Sequence, residues 1–327
     1  MWKEKDELDG VLIMKKTYHI CISSDDEVMF RDEEDYNRGF NCFALALYKT
    51  GSTGLVESFM STHAHLLVQT EDTGRFVRAF RMPYSKYFNY KYSRAGRLGE
   101  EGYFCMEIEG LHHHIAAISY ILRNSLHHGV VPIPYAYPHC SVNAIFQKEM
   151  GKRPVQDLIQ PKSYYRHIGR NADFPDKYKM SRSGLFLRET VLDIPQVENM
   201  FMTPRNFNYY MSRLTSEEWQ KEQLKDRNDI APVTLEIMES GIKITSVSEM
   251  LVYERGRSDY RKMSDIEACD IIDNDIIINE FHKESIYQLS REEKIRIANI
   301  LRQKYHLGKA QIRRCLNLKL DWTDQEL

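Results

Sequence analysis

A chain of 327 residues with 42% hydrophobic residues, 28% charged residues and a net charge of −2 has the composition of a soluble globular protein, not a disordered one. No apolar run approaches the roughly 18–20 residues that a membrane crossing needs, and the charged opening MWKEKDELDG is followed only by VLIM, so the expectation is no membrane segment, no signal peptide and a cytoplasmic location. Six cysteines, at 21, 42, 105, 140, 269 and 315, lie far apart without a Cys-x-x-Cys pair, which reads as reduced buried thiols and argues against a zinc ribbon.

TYHICISS (17–24) alternates with apolar positions at Tyr18, Ile20 and Ile22, which predicts a strand. RDEEDYNRGFNCFALALYKTG (31–51) predicts a helix that starts at Asp32 or its neighbours, carries Phe40, Phe43, Leu45 and Leu47, and ends at Gly51. GLVESFMSTHAHLLVQTE reads as two strands, and TGRFVRAFRMPYSKYFNYKYSR as a helix kinked at Pro83. GYFCMEIEG is a further strand, and HHHIAAISYILRNSLHHG a helix closed by Gly129. The order β-α-β-β-α-β-α predicts an α+β fold, a ferredoxin-like antiparallel sheet with helices, over residues 1–150.

Residues 151–245 form a tyrosine-rich linker or accessory region without a catalytic motif; within it TSEEWQKEQLKDRN predicts a helix with a capping box from Thr215 to Glu218. Residues 246–327 predict an all-α domain. Ser264-x-x-Glu267 and Ser290-x-x-Glu293 are two more capping boxes. The second opens REEKIRIANILRQKY, and HLGKAQIRRCLNL then supplies a turn with Gly308 and a basic helix. That succession suits a helix-turn-helix reader of duplex DNA, with a plain helical hairpin as the alternative. Basic charge is segregated: residues 75–99 hold seven Lys or Arg and no acid, residues 291–320 hold nine against two acids, and acids collect in SDIEACDIIDND between them.

The chemistry-bearing pattern is His63-Ala64-His65. Residues i and i+2 of a strand share a face, so both imidazoles project together, as two ligands of one metal ion or as ordinary buried histidines. Tyr120 and Asn124 lie four positions apart on one predicted helix and so share a face. His112-His113-His114 and His127-His128 read as surface or DNA-proximal residues flanking that helix.

MSTHAHLLVQ, YSKYFNYKYSRAGRLGEEGYF and SYILRNSLHHGVV together resemble the single-tyrosine HUH transposases of insertion sequences, in their REP-associated tyrosine transposase branch. The resemblance spans roughly residues 15–145. The family's His-hydrophobic-His hallmark is matched by His63, Ala64 and His65, and its Tyr-Ile-x-x-Asn-Pro pattern by Tyr120, Ile121 and Asn124. Ser61-Thr62 stand where the family has Pro-Asn, Ser125 replaces its proline, and Pro83 interrupts a helix that the family keeps proline-free. The tail more distantly resembles a replication-initiator carboxyl-terminal domain.

The resemblance implies a metal-dependent single-stranded DNA transposase or endonuclease that cleaves and rejoins hairpin-bearing DNA through a covalent 5′-phosphotyrosine. Tyr120 would be the nucleophile, and His63, His65 and Asn124 would hold a divalent metal, Mg or Mn. Arg75, Arg78, Arg81, Lys86, Lys91, Arg94 and Arg97 would meet phosphates, with exposed tyrosines of the same segment stacking on bases. Lys309, Arg313 and Arg314 would contact duplex DNA, and deletion of the tail is expected to spare single-strand cleavage. Expected partners are single-stranded hairpin DNA, duplex DNA through the tail and a second copy in a homodimer, with no membrane and a nucleoid-associated location. The alternatives are a domesticated DNA-binding protein without catalysis and a replication-initiator or relaxase nuclease. Relaxases usually carry a third histidine and often place the tyrosine first, whereas Tyr120 follows His65.

Overall fold

A computed structural model describes residues 15–24, 27–153, 155–213, 222–223, 226, 233–240 and 263–318. The capping box expected at Thr215 and the stretch 246–262 lie outside them.

The first half is the expected α+β unit. Strands β1 (Lys16–Ser23), β2 (Thr53–Phe59), β3 (His63–Thr70) and β4 (Phe104–Ile108) form one sheet in the order β2-β3-β1-β4, with every neighbouring pair antiparallel. Helix α1 (Glu33–Thr50) joins β1 to β2, and α2 (Thr73–Lys91) joins β3 to β4. The start of α1 is set by the Asp32 carboxylate accepting the Asp35 N–H, and its end by Gly51 at φ 64°. α2 runs continuously across Pro83, which sits on the exposed side of the helix.

The sheet sorts its side chains by alternation. Ser23 pairs with His63, Cys21 with His65 and His19 with Leu67, so all of these occupy one face. The other face is aromatic: Phe59 packs against Phe40, Phe43 and Phe80, which places α1 and α2 there. α3 (Leu111–Leu122) covers the histidine face, where Tyr120 meets His65 and His19.

The single helix expected over 112–129 breaks. Arg123 takes φ −100° and ψ 4°, its N–H reaches both the Ser119 and the Tyr120 carbonyls, and a one-turn helix α4 (Asn124–His127) follows. Gly129 ends it at φ 65°, as the sequence indicates.

Short helices α5 (Pro161–Ile168), α6 (Arg188–Val191), α7 (Ile194–Phe201), α8 (Pro204–Ser212) and α9 (Leu235–Glu239) follow, and several pack residues into the sheet's own core. The accessory stretch is therefore partly structural. Arg188, for example, donates to the fully buried Glu57 carboxylate of β2 at 2.6 Å.

The tail comprises α10 (Asp265–Asp270), a π-helical stretch Ile271–Phe281, α11 (Arg291–Tyr305) and α12 (Lys309–Leu316). Both predicted capping boxes are formed, by Ser264 with Glu267 and by Ser290 with Glu293. Tail residues build a second core from Ile272, Ile277, Ile297, Leu301, Ile312 and Cys315, to which the first half contributes Val28. All six cysteines are thiols, and only Cys105 is exposed. Among the described residues no helix is long and apolar enough to cross a membrane.

Candidate active site

His63 and His65 occupy the same face of β3, with ring centroids 5.0 Å apart. Despite the break at Arg123, Tyr120 and Asn124 both turn toward this pair. Asn124 Oδ1 lies 3.1 Å from His63 Nε2, and the Tyr120 ring stands edge-on to His65 at 5.2 Å. The four residues singled out by sequence therefore meet at one place.

One consistent set of protons connects them. The Thr62 hydroxyl donates to His63 Nδ1 at 3.2 Å, His63 Nε2–H donates to Asn124 Oδ1 at 3.1 Å, and Asn124 Nδ2 donates to His128 Nε2 at 3.3 Å. Thr62 serves either tautomer of His63: in this metal-free arrangement the proton sits on Nε2, and with Nε2 bare for a cation Nδ1–H would donate to the Thr62 hydroxyl instead. His65 Nδ1 meets His19 Nε2 at 2.9 Å, which leaves His65 Nε2 without a hydrogen-bond partner among the described residues.

Sequence reasoning missed His19. Its signal lies in TYHICISS: if Tyr18, Ile20 and Ile22 face one layer, His19, Cys21 and Ser23 face the other, beside His63 and His65. His127 and His128 need correction. They belong to the site: the His127 ring stacks on Tyr120 at 5.9 Å, and the His128 ring lies 5.7 Å from His63. His112 and His113 instead clamp Asp226 through their Nδ1 atoms at 2.7 and 3.0 Å, beside the first turn of α3.

Burial sets the protonation of the cluster. It pushes His63 and His127 down to about 4 and His19 to about 3, while His65 and His128 fall well below the ordinary histidine value through burial and their imidazole neighbours. The rings are thus neutral at pH 7, the form that binds metals and accepts protons. With depressed folded-state values, the unfolded chain is the better proton acceptor. Stability is then full above the ordinary value of 6.5 and falls as pH drops toward about 4. The urea midpoint of the metal-free protein should accordingly be lower at pH 5 than at pH 7; equal midpoints would rule out a neutral buried cluster.

A metal fits this donor set on two observations. His63 Nε2 and Asn124 Oδ1 are 3.1 Å apart, close to the ~3 Å between adjacent ligands at bond lengths of about 2.1 Å, and the buried His65 Nε2 lacks a partner among the described residues. Among those residues no three His, Cys, Asp or Glu side chains form a metal-holding group, so the Asn124 amide is needed to complete a set of three. Tyr120 is 1% exposed and both histidines 0%, so the cluster is closed off from solvent.

The basic residues divide. Arg75, Arg78, Lys86 and Arg97 are exposed, and Tyr90 is 90% exposed. Lys91 is bound to Asp32, Glu34 and Asp35, Arg94 holds Glu27, and Arg81 donates to the carbonyls of Glu100, Glu101 and Gly102. These three are occupied within the fold. Tyr84 and Tyr92 are buried with their hydroxyls engaged. Moreover α2 covers the aromatic face, so its exposed cations lie across the sheet from the histidines. In the tail Lys309 is exposed and Arg313 half-buried, but Arg314 is 1% exposed and grips Asp265 through two hydrogen bonds. Arg314 faces inward, away from any duplex that α12 could meet.

Fold and site define an α+β chain with a ferredoxin-like sheet, a buried tyrosine, asparagine and histidine cluster on one sheet face, and a helical C-terminal region. No family model matches the chain, and no curated protein matches it. Among solved structures it is similar to a REP-associated tyrosine transposase bound to a REP hairpin, with 12% identity, 46% of this chain and 89% of that chain covered, and a TM-score of 0.38.

Proposed function

We propose that this protein is a single-tyrosine HUH strand transferase acting on single-stranded, hairpin-bearing DNA. The reading is carried by one observation, the meeting of His63, His65, Asn124 and Tyr120 on one sheet face from segments far apart in the chain. The match of these residues to the family's two motifs supports it. Tyr120 attacks the phosphorus, the bond to the 3′ oxygen breaks, and that oxygen leaves with a proton. A free phenol has a pKa near 10, so attack at neutral pH requires Tyr120 to give up its proton in the same step, and the departing 3′ oxygen takes up one in exchange. His63 Nε2, His65 Nε2 and Asn124 Oδ1 would hold a divalent cation, Mg or Mn, which supplies charge neutralisation at the phosphate. The phosphotyrosine keeps the energy of the phosphodiester, so a second strand's 3′ hydroxyl displaces Tyr120 without ATP.

Incubation with labelled single-stranded hairpin DNA and Mn²⁺, followed by a denaturing gel, should show a protein-linked DNA band. The enclosure of Tyr120 favours a second reading, a hairpin-binding protein without cleavage, and DNA binding with no adduct at any metal concentration would select it. Substituting both Lys309 and Arg313 by Ala should weaken duplex binding and reduce the slope of log K against log salt by about one for each phosphate no longer neutralised. Arg314→Ala should lower stability instead; an unchanged duplex affinity in the double variant would leave the tail helices a scaffold only.

A further inference from the structure

The turn that leads into His63 is held both by its own neighbourhood and by the tail. Met60 N–H bonds to the His63 carbonyl at 2.7 Å, Ser24 N–H to the Thr62 carbonyl at 2.8 Å, and Met29 and Phe30 N–H to the Ser61 carbonyl at 2.7 and 3.1 Å. The Ser61 hydroxyl then donates to Asp265 Oδ2 at 2.7 Å, across 204 residues of sequence. Asp265 opens α10, and the tail fills the rest of its carboxylate: Arg314 Nε donates to Oδ2 at 2.7 Å, Arg314 Nη2 to Oδ1 at 2.9 Å and Gln311 Nε2 to Oδ1 at 3.0 Å. Ser61, Asp265 and Arg314 are each 1% exposed.

Stability alone does not call for this arrangement, because replacing a buried ion pair by apolar side chains of similar volume is often neutral. A carboxylate adds direction: it fixes where the Ser61 hydroxyl points, two residues before His63. The neighbouring Thr62 hydroxyl lies 3.2 Å from His63 Nδ1, where it can accept the Nδ1–H that a cation-binding His63 carries.

We infer that Asp265 is a positioning residue for the candidate metal site, which makes the tail part of that site's scaffold. The inference rests on the reading of His63 as a metal ligand. It also reverses the expectation that deleting the tail spares single-strand cleavage, since deletion removes the group that holds Ser61.

The test uses the full chain and cobalt chloride as the probe, read by the visible absorption of bound Co²⁺. Asp265→Asn unbalances the buried Arg314, so Ser61→Ala is the informative variant, because it removes one hydroxyl and leaves the ion pair intact. Loss of a group that orients a metal ligand typically weakens binding 10–100-fold; Ser61→Ala should weaken cobalt binding about tenfold or more, with a urea midpoint close to wild type. Wild-type cobalt affinity and spectrum in Ser61→Ala would overturn the inference. Absence of a cobalt spectrum in the wild type would overturn the metal reading and this inference with it. If Ser61→Ala lowers cobalt affinity while the wild type never forms a DNA adduct, the positioning role stands and the strand-transferase reading fails.

Discussion

Tyr120→Phe should yield no covalent DNA adduct under conditions in which the wild type accumulates one. The substitution removes a single oxygen from a ring that packs against His65 at 5.2 Å and stacks on His127 at 5.9 Å. The phenyl ring keeps this packing, so the variant should remain folded and bind hairpin DNA with near-native affinity. Losing one hydroxyl hydrogen bond costs only about 0.5–1.5 kcal/mol. A tyrosine serving the core alone would give the opposite pattern, with reduced stability and undiminished nicking. The deciding measurement is the denaturing gel: a Tyr120→Phe protein that still carries 5′-linked DNA would remove Tyr120 from the mechanism.

The second large effect concerns stability. Arg31 is 1% exposed, and its guanidinium is fully directed: Nε and Nη2 donate to the two Asp273 oxygens at 2.8 Å each, and Nη1 donates to the Cys315 carbonyl at 2.8 Å. Asp273→Ala would leave that buried cation with one carbonyl and the face of Tyr92, 5.7 Å from its centre, and no carboxylate. Breaking a buried pair from one side costs about 3–5 kcal/mol. The Asp273 side chain keeps 18% exposure, so water can partly replace it, and the loss should sit near the lower end of that range. Arg31→Met combined with Asp273→Leu should recover much of it, since no charge is then stranded. Urea unfolding of the three variants checks this, and a loss below about 1 kcal/mol in Asp273→Ala would mean that the pair is not a significant tie between tail and core.

Local features were readable because they depend on neighbours in sequence. The alternation of TYHICISS, the caps Asp32 and Gly51, and the boxes at Ser264 and Ser290 each became the element they indicate. The convergence of His63 and His65 was readable for the same reason, as a two-residue spacing on a strand. The helix break at Arg123 was not readable, because ILRNSLHH contains neither proline nor glycine at that point and the turn tightens through backbone hydrogen bonds. Nor was the division of the basic residues. Whether an arginine meets solvent or a buried acid is decided by partners far away in the chain: Arg94 finds Glu27, and Arg314 finds Asp265. The sequence shows acids collecting in SDIEACDIIDND, but only the fold shows two of them, Asp265 and Asp273, holding buried arginines.

The tie between Arg31 and Asp273 also bears on how the chain is made. The two residues are separated by 242 positions. At synthesis rates of about 5–20 residues per second, the β1–α1 segment waits on the order of 10–50 s for its partner to leave the ribosome. Throughout that interval Arg31 lacks its carboxylate, and Val28 lacks the apolar residues of the tail core. Chains that end before the tail should therefore be degraded by proteases more readily than the full chain.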